Sequence, residues 1–223
     1  MTRHLQRELD LLKKRILSLG AMVEERVRMA TKAIEMKDGQ LAKKIIEMDY
    51  EIDETEVEVE EECLKILALH QPVAVDLRFL TAVIKINNDL ERIGDEAVNI
   101  AERILIISEK ERLKVDFDYS QMAEKTEAML KKSLDAVVNM DSDAAVKVFI
   151  SDDEVDRLQD EAYDAIKKAI RHNPDKIGYL INLLLISRHL ERIADHATNI
   201  AEEVIYMIEG EIVRHGRLNG RPK

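Results

Sequence analysis

One thirteen-residue block occurs twice in this chain, as LERIGDEAVNIAE from Leu90 to Glu102 and as LERIADHATNIAE from Leu190 to Glu202. Ten of the thirteen positions are identical and the offset is 100 throughout. A chain that carries one block twice at such separation is built from two like units, and 223 residues divide into two of about 110. Within each copy the acids recur at helical spacing. Glu91, Asp95 and Asn99 stand at i, i+4, i+8, as do Glu191, Asp195 and Asn199, so a helix stacks them along one stripe.

The rest of the sequence supports helix. Only seven Gly and three Pro occur, there is no Trp, and Ala, Leu, Ile, Glu and Lys are abundant. Amphipathic runs cover about Arg3 to Met36 and about Gln40 to Leu69, with Asp38-Gly39 between them. His70-Gln71-Pro72 ends the second run, because the residue before proline is pushed out of the helical region, and a third run continues to about Lys110. The plan repeats as Ser120 to Asn139, Asp143 to Arg171, the break at His172-Asn173-Pro174, and a third run. Asp38 aligns with Asp141, and Asp49 to Asp53 with Asp152 to Asp156, at an offset of 103.

The third run of each half carries an apolar stripe at alternating three and four, through Ile86, Leu90, Ile93, Ala97 and Ile100 and again through Ile186, Leu190, Ile193, Ala197 and Ile200. The expected fold is all-α, two tandem three-helix bundles formed by internal repeat with long amphipathic helices. The expected boundaries are 1–112 for the first repeat, 116–213 for the second and 214–223 for a basic tail.

The acids invite two readings. Glu91 and Asp95 lie away from Ile93 and Ile100, so they can be a solvated face with Arg92 pairing Asp95 or Glu96. A second acidic pair argues for more. Asp49 and Asp53, repeated as Asp152 and Asp156, are like charges at i, i+4, a spacing that weakens an isolated helix by a few tenths of a kcal/mol. Counting from the turn, Asp53 and Glu91 fall at nearly the same height on antiparallel helices, and so do Asp156 and Glu191. Four carboxylates at one level form an all-oxygen site suited to Mg²⁺, Ca²⁺, Mn²⁺ or iron. His196, beside Asp195, is read as a solvated side chain, with Glu96 in its place in the first copy.

Other classes find less support. A carboxylate-bridged di-iron enzyme would carry Glu-x-x-His facing the bundle core, but Glu91 is followed by Gly94 and Glu191 by Ala194 at that spacing. No phosphate loop, nucleophile elbow or His-Glu-x-x-His motif occurs. The net charge of −11 opposes nucleic-acid binding. Cys63 is the only cysteine, so an intramolecular disulfide is impossible. No signal-peptide pattern and no apolar span is present, so a soluble protein without membrane insertion is expected.

With both helices and both acid pairs in place, the chain resembles the PhoU family of bacterial phosphate-uptake regulators over nearly its whole length. The resemblance rests on two tandem repeats, each with an acid-x-x-x-Asp motif on its second and third helices and an LERI-x-D-x-x-x-NIAE block. It implies a cytoplasmic, non-enzymatic accessory protein of the phosphate transport system that acts with the transporter ATPase PstB and the sensor kinase PhoR. Such a protein represses the phosphate-starvation response. A homodimer is expected. The resemblance also implies metal clusters, reported as iron in some members, and places them by position at Asp49, Asp53, Glu91 and Asp95 and at Asp152, Asp156, Glu191 and Asp195. A purely structural helical adaptor, whose acids only keep it soluble, is the competing expectation.

Overall fold

The computed structural model describes residues 3–111 and 113–212, so the basic tail expected at 214–223 lies outside the described residues. Seven α-helices and one 3-10 turn make up the regular structure, and no strand occurs among the described residues. In chain order they are α1 (Arg3–Met36), α2 (Gly39–Glu47), α3 (Tyr50–His70), α4 (Val75–Ser108), α5 (Tyr119–Asn139), α6 (Ser142–His172) and α7 (Ile177–Glu209), with the 3-10 turn Pro174–Lys176 leading into α7. None of these helices is long and apolar enough to cross a membrane.

The turn between first and second helices is built the same way in both repeats. Lys37 and its equivalent Met140 close the preceding helix in the left-handed conformation, with φ of 54° and 50°. The next residue is an aspartate that caps the following helix. Asp38 Oδ1 accepts from the Gln40 and Leu41 amides at 2.9 and 3.1 Å, and Asp141 Oδ1 from the Ala144 amide at 2.9 Å. Gly39 has a different role. A Cβ there would lie 2.7 Å from Ser108 Oγ, so the glycine permits a close approach of α2 to the end of α4.

The second helix of the first repeat departs from expectation. The run from Gln40 to Leu69 is not one helix but two, α2 and α3, divided at Met48 and Asp49, whereas α6 runs unbroken. The cause lies on α1. Arg26 is almost completely buried, and its Nη2 donates to the Met48 carbonyl at 3.2 Å and to Glu51 Oε2 at 3.1 Å. That carbonyl is thereby held by a side chain at the division of the helix. The equivalent residue in the second repeat is Met129, which offers no donor.

The two repeats share one core. Its buried residues include Leu12, Leu19 and Val23 of α1, Leu90 and Ile93 of α4, Met122 and Leu130 of α5 and Leu190 and Ile193 of α7. Helices α4 and α7 pack against each other most extensively, and α1 meets α5 where a Cβ on Gly20 would touch the Leu134 side chain. Cross-links between α4 and α7 set their direction. Lys85 meets Glu203, Asp89 meets His196 and Glu96 meets His189, so numbers rise along one helix as they fall along the other. The duplicated helices therefore cross antiparallel. The apolar stripes read from the sequence are the seam between the repeats as well as the spine of each.

Candidate metal centres and the helix seam

Helices α3 and α4 set the first acidic cluster. Two contacts fix their register: Asn87 Nδ2 donates to the Glu56 carbonyl at 2.9 Å, and Gly94 lies against the Ile52 side chain, where an added Cβ would be 3.1 Å from Ile52 Cδ1. This register brings Asp53 level with Glu91, and Asp49 level with Asp95. Asp49, Glu91 and Asp95 are half-buried, while Asp53 is exposed, so the group forms the wall of a groove and not part of the core.

The electrostatics show how close these charges are. Burial pushes the Asp49 carboxyl above its usual range, and Asp53 and Asp95 push it further, against the pull of Arg26. Glu91 is raised by burial and by Asp95, with Glu56 and Asp53 adding to the effect and Arg92 opposing it. Asp95 is likewise raised by burial and by Asp53, although Arg92 and Arg192 partly compensate. Asp49 Oδ1 is buried with no hydrogen-bond partner among the described residues, whereas the buried Glu91 Oε2 lies 3.4 Å from Arg92 Nε. An orphaned anionic oxygen such as that of Asp49 is costly unless a cation meets it.

The second cluster stands at the corresponding place between α6 and α7. Burial raises the Glu191 carboxyl, followed by the charges of Asp195, Asp156 and Asp152, with Arg188 lowering it. Gln159, Arg188, Glu191, Arg192 and Asp195 line an adjoining cleft of about 430 Å³. The eight carboxylates singled out in the sequence thus group as two sets of four, one per repeat. In neither set do three ligand atoms lie within 4.8 Å of one another, among the described residues. The donor set is all oxygen, and with its mutual repulsion and partial burial it fits a hard divalent cation or iron.

Glu56 belongs to the first cluster and is missed by the motif. Its carboxyl is raised by burial, Glu60 and Asp53, and it lines a polar cleft of about 550 Å³ together with Asn88, Asp89 and Asn199. It follows Asp53 at i+3, on the same stripe. Its equivalent is Gln159, whose buried Oε1 has no hydrogen-bond partner, and Asn88 is replaced by Arg188. The second cluster is therefore less negative at two flanking positions.

Two expectations about neighbouring side chains are corrected. His196 is not a solvated group on a polar face; its Nδ1 hydrogen-bonds Asp89 Oδ1 across the seam at 2.8 Å, and Asn199 donates to the same oxygen at 3.0 Å. Glu96 does not pair with Arg92 on its own helix. It is almost fully buried against α7, with His189 Nδ1 2.6 Å from Oε2 and Arg192 Nε 3.0 Å from Oε1. Burial alone would raise the Glu96 carboxyl, but the His189 hydrogen bond and the charges of His189 and Arg192 outweigh it and hold the group below its usual range. Arg92 pairs with Asp95 at 3.5 Å, the other partner expected for it, and also reaches Glu91 at 3.4 Å, inside the first cluster. Cys63 is buried, and desolvation with nearby Glu60 and Glu62 pushes its thiol up to about 12, so no thiolate is available at neutral pH.

Known proteins share this sequence plan and fold. The family model described as PhoU domain matches residues 16–104 and again 119–204. The phosphate-specific transport system accessory protein PhoU homolog of Aquifex aeolicus is 38% identical over 209 residues, spanning 94% of this chain and 95% of that protein. The homolog from Pseudomonas aeruginosa is 37% identical over 209 residues, spanning 93% of this chain and 86% of that protein. The crystal structure of PhoU from Pseudomonas aeruginosa superimposes with a TM-score of 0.87 at 35% identity, covering 92% of this chain and 99% of the other. PhoU from Streptococcus pneumoniae, described as a phosphate transport system regulatory protein, gives a TM-score of 0.83 at 31% identity, with coverage of 94% and 99%. With the family model matched in both repeats and relatives 37–38% identical over nearly the whole chain, this protein belongs to the PhoU family.

Proposed function

We propose that this protein is a non-enzymatic accessory regulator of phosphate transport, working as a metal-binding docking scaffold in the cytoplasm. The observation that carries the reading is the recurrence, at one place in each repeat, of four mutually repelling, partly buried carboxylates in a chain whose relatives are named for the phosphate transport system. A bound cation neutralises each cluster and offers open coordination positions to a phosphate or to a partner carboxylate. Asp49, Asp53, Glu91 and Asp95 hold the first ion, and Asp152, Asp156, Glu191 and Asp195 the second. Iron is the first candidate, with Mg²⁺, Mn²⁺ and Ca²⁺ sharing the preference for oxygen.

The partners in this reading are the transporter ATPase PstB and the sensor kinase PhoR, and the outcome is repression of the starvation response when phosphate is plentiful. The scaffold acts as a homodimer. Exposed apolar side chains at the turn between α3 and α4, among them Leu69, Val73, Val75 and Leu77, supply contact surface of the kind association requires. The test compares wild-type protein, reconstituted with each metal, with the variant Glu91→Ala, Asp95→Ala, Glu191→Ala, Asp195→Ala in binding to the two partners. Loss of metal together with weakened partner binding is expected. Unchanged binding by the metal-free variant would leave the acids as solubilising groups on a structural adaptor.

A further inference from the structure

A third group of potential ligands lies far from the acidic clusters along α3. His4 and Glu8 stand one turn apart on α1, and His70 closes the last turn of α3. His70 Nε2 lies 2.6 Å from Glu8 Oε2, and His4 Nε2 lies 3.4 Å from Glu8 Oε1. The two imidazoles meet edge to face with centroids 5.6 Å apart. Among the described residues this is the only set in which three ligand atoms of His, Cys, Asp or Glu all fall within 4.8 Å of one another. We propose that His4, Glu8 and His70 form a binding site for a divalent transition-metal ion of the zinc class.

The chemistry selects the class. Two imidazole nitrogens and one carboxylate oxygen suit zinc and its neighbours in the first transition row, and they disfavour Mg²⁺ and Ca²⁺, which take oxygen. Adjacent ligands of a tetrahedral zinc are roughly 3.3 Å apart, given bonds of about 2.0 Å. His70 and Glu8, now at a hydrogen-bond distance of 2.6 Å, therefore move apart slightly to admit an ion, and all three ligand atoms already lie within 4.8 Å of one another. The Glu8 and His70 side chains are 11% and 16% exposed, while that of His4 is 74% exposed, so two ligands are packed and the third stands in place on the solvent side. The fourth position opens to water. Binding displaces a proton from each histidine nitrogen that carries one and leaves the carboxylate ionised.

The site is confined to the first repeat. Its α1 ligands lie before residue 16, where the match to the family repeat begins, and the second repeat has no equivalent because α5 starts at Tyr119, aligned with Ile16. His172, the counterpart of His70, bonds the Lys168 carbonyl of its own helix. An ion here ties the first turns of α1 to the end of α3, beside the turn in which Gln71 and Ala74 adopt positive φ.

The test uses untagged full-length protein, with Co²⁺ as a spectroscopic probe and Zn²⁺ as competitor. Wild type and the quadruple acid-cluster variant are both expected to develop the intense visible bands of four-coordinate, histidine-bound Co²⁺, removed by Zn²⁺. His4→Ala, whose side chain is exposed and whose loss leaves the fold intact, and His70→Ala are each expected to lose those bands and at least about tenfold in Zn²⁺ affinity. In the quadruple acid-cluster variant Zn²⁺ should still raise the melting temperature, and adding His4→Ala to that variant should abolish the rise. Bands and affinity that survive in the two histidine variants would overturn the proposal, as would a wild type without such bands in excess Co²⁺.

Discussion

At the scale of single residues, the carboxylates of the two clusters are held in a form the fold disfavours. Asp49, Glu91, Asp95 and Glu191 all titrate above their usual range, with burial as the first cause. The folded state therefore binds protons more tightly than the unfolded state, and metal-free stability falls as pH rises from the ordinary carboxylate range through the raised native values. Thermal melts of metal-free protein should show this loss, which Glu91→Gln reduces, stabilising the apoprotein at neutral pH by about 0.5 kcal/mol while lowering its metal capacity. Glu96 has the opposite sign. Its lowered carboxyl adds stability that is present above the unfolded value and lost as pH falls through the native one, below the ordinary range. Glu96→Ala should cost about 2 kcal/mol by urea denaturation, since it leaves the largely buried His189 without its acceptor while Arg192 retains water. The eight clustered acids were legible in the sequence because each pair recurs at helical spacing. The roles of Glu96, Asp89, His189 and His196 were not, since each depends on a partner about 100 residues away on a helix whose crossing angle and direction no local pattern encodes.

At the scale of elements, the repeats solve one packing problem in two ways. Ile52 lies against Gly94 in the first, and the equivalent positions in the second hold Val155 and Ala194, a smaller side chain opposite a larger one. Gly94→Ala gains about 1 kcal/mol of helix propensity but crowds Ile52, so its net effect should be small, whereas Gly94→Ala combined with Ile52→Val should be more stable than the sum of the single changes. A double-mutant cycle measures that coupling. The division between α2 and α3 is the other element-level asymmetry. Arg26 leaves Nε and Nη1 buried without partners, so Arg26→Met, the residue of the second repeat, should change stability by less than about 1 kcal/mol while raising amide-exchange protection at Met48 and Asp49. Helix ends were readable from Asp38, Asp141 and the two prolines. The break at Met48 was not, because its cause sits 22 residues earlier in the chain.

At the scale of the whole molecule, the antiparallel crossing of α4 and α7 joins two copies of one unit into a single core, so both repeats should unfold in one transition, with calorimetric and van't Hoff enthalpies equal. The internal near-symmetry also distinguishes the two candidate metal centres. The first has Glu56 and Asn88 beside it and is opposed by Arg26 and Arg92, where the second has Gln159 and Arg188, so the two should fill with different affinities during a metal titration. The central claim is that the paired carboxylates exist to hold cations, and anomalous diffraction from crystals of untagged, iron-reconstituted protein, with elemental analysis of the same sample, tests it most directly. Anomalous peaks between α3 and α4 and between α6 and α7, absent from the quadruple alanine variant, are the expected result. A reconstituted protein without metal, or with metal only at sites away from these eight acids, would contradict it.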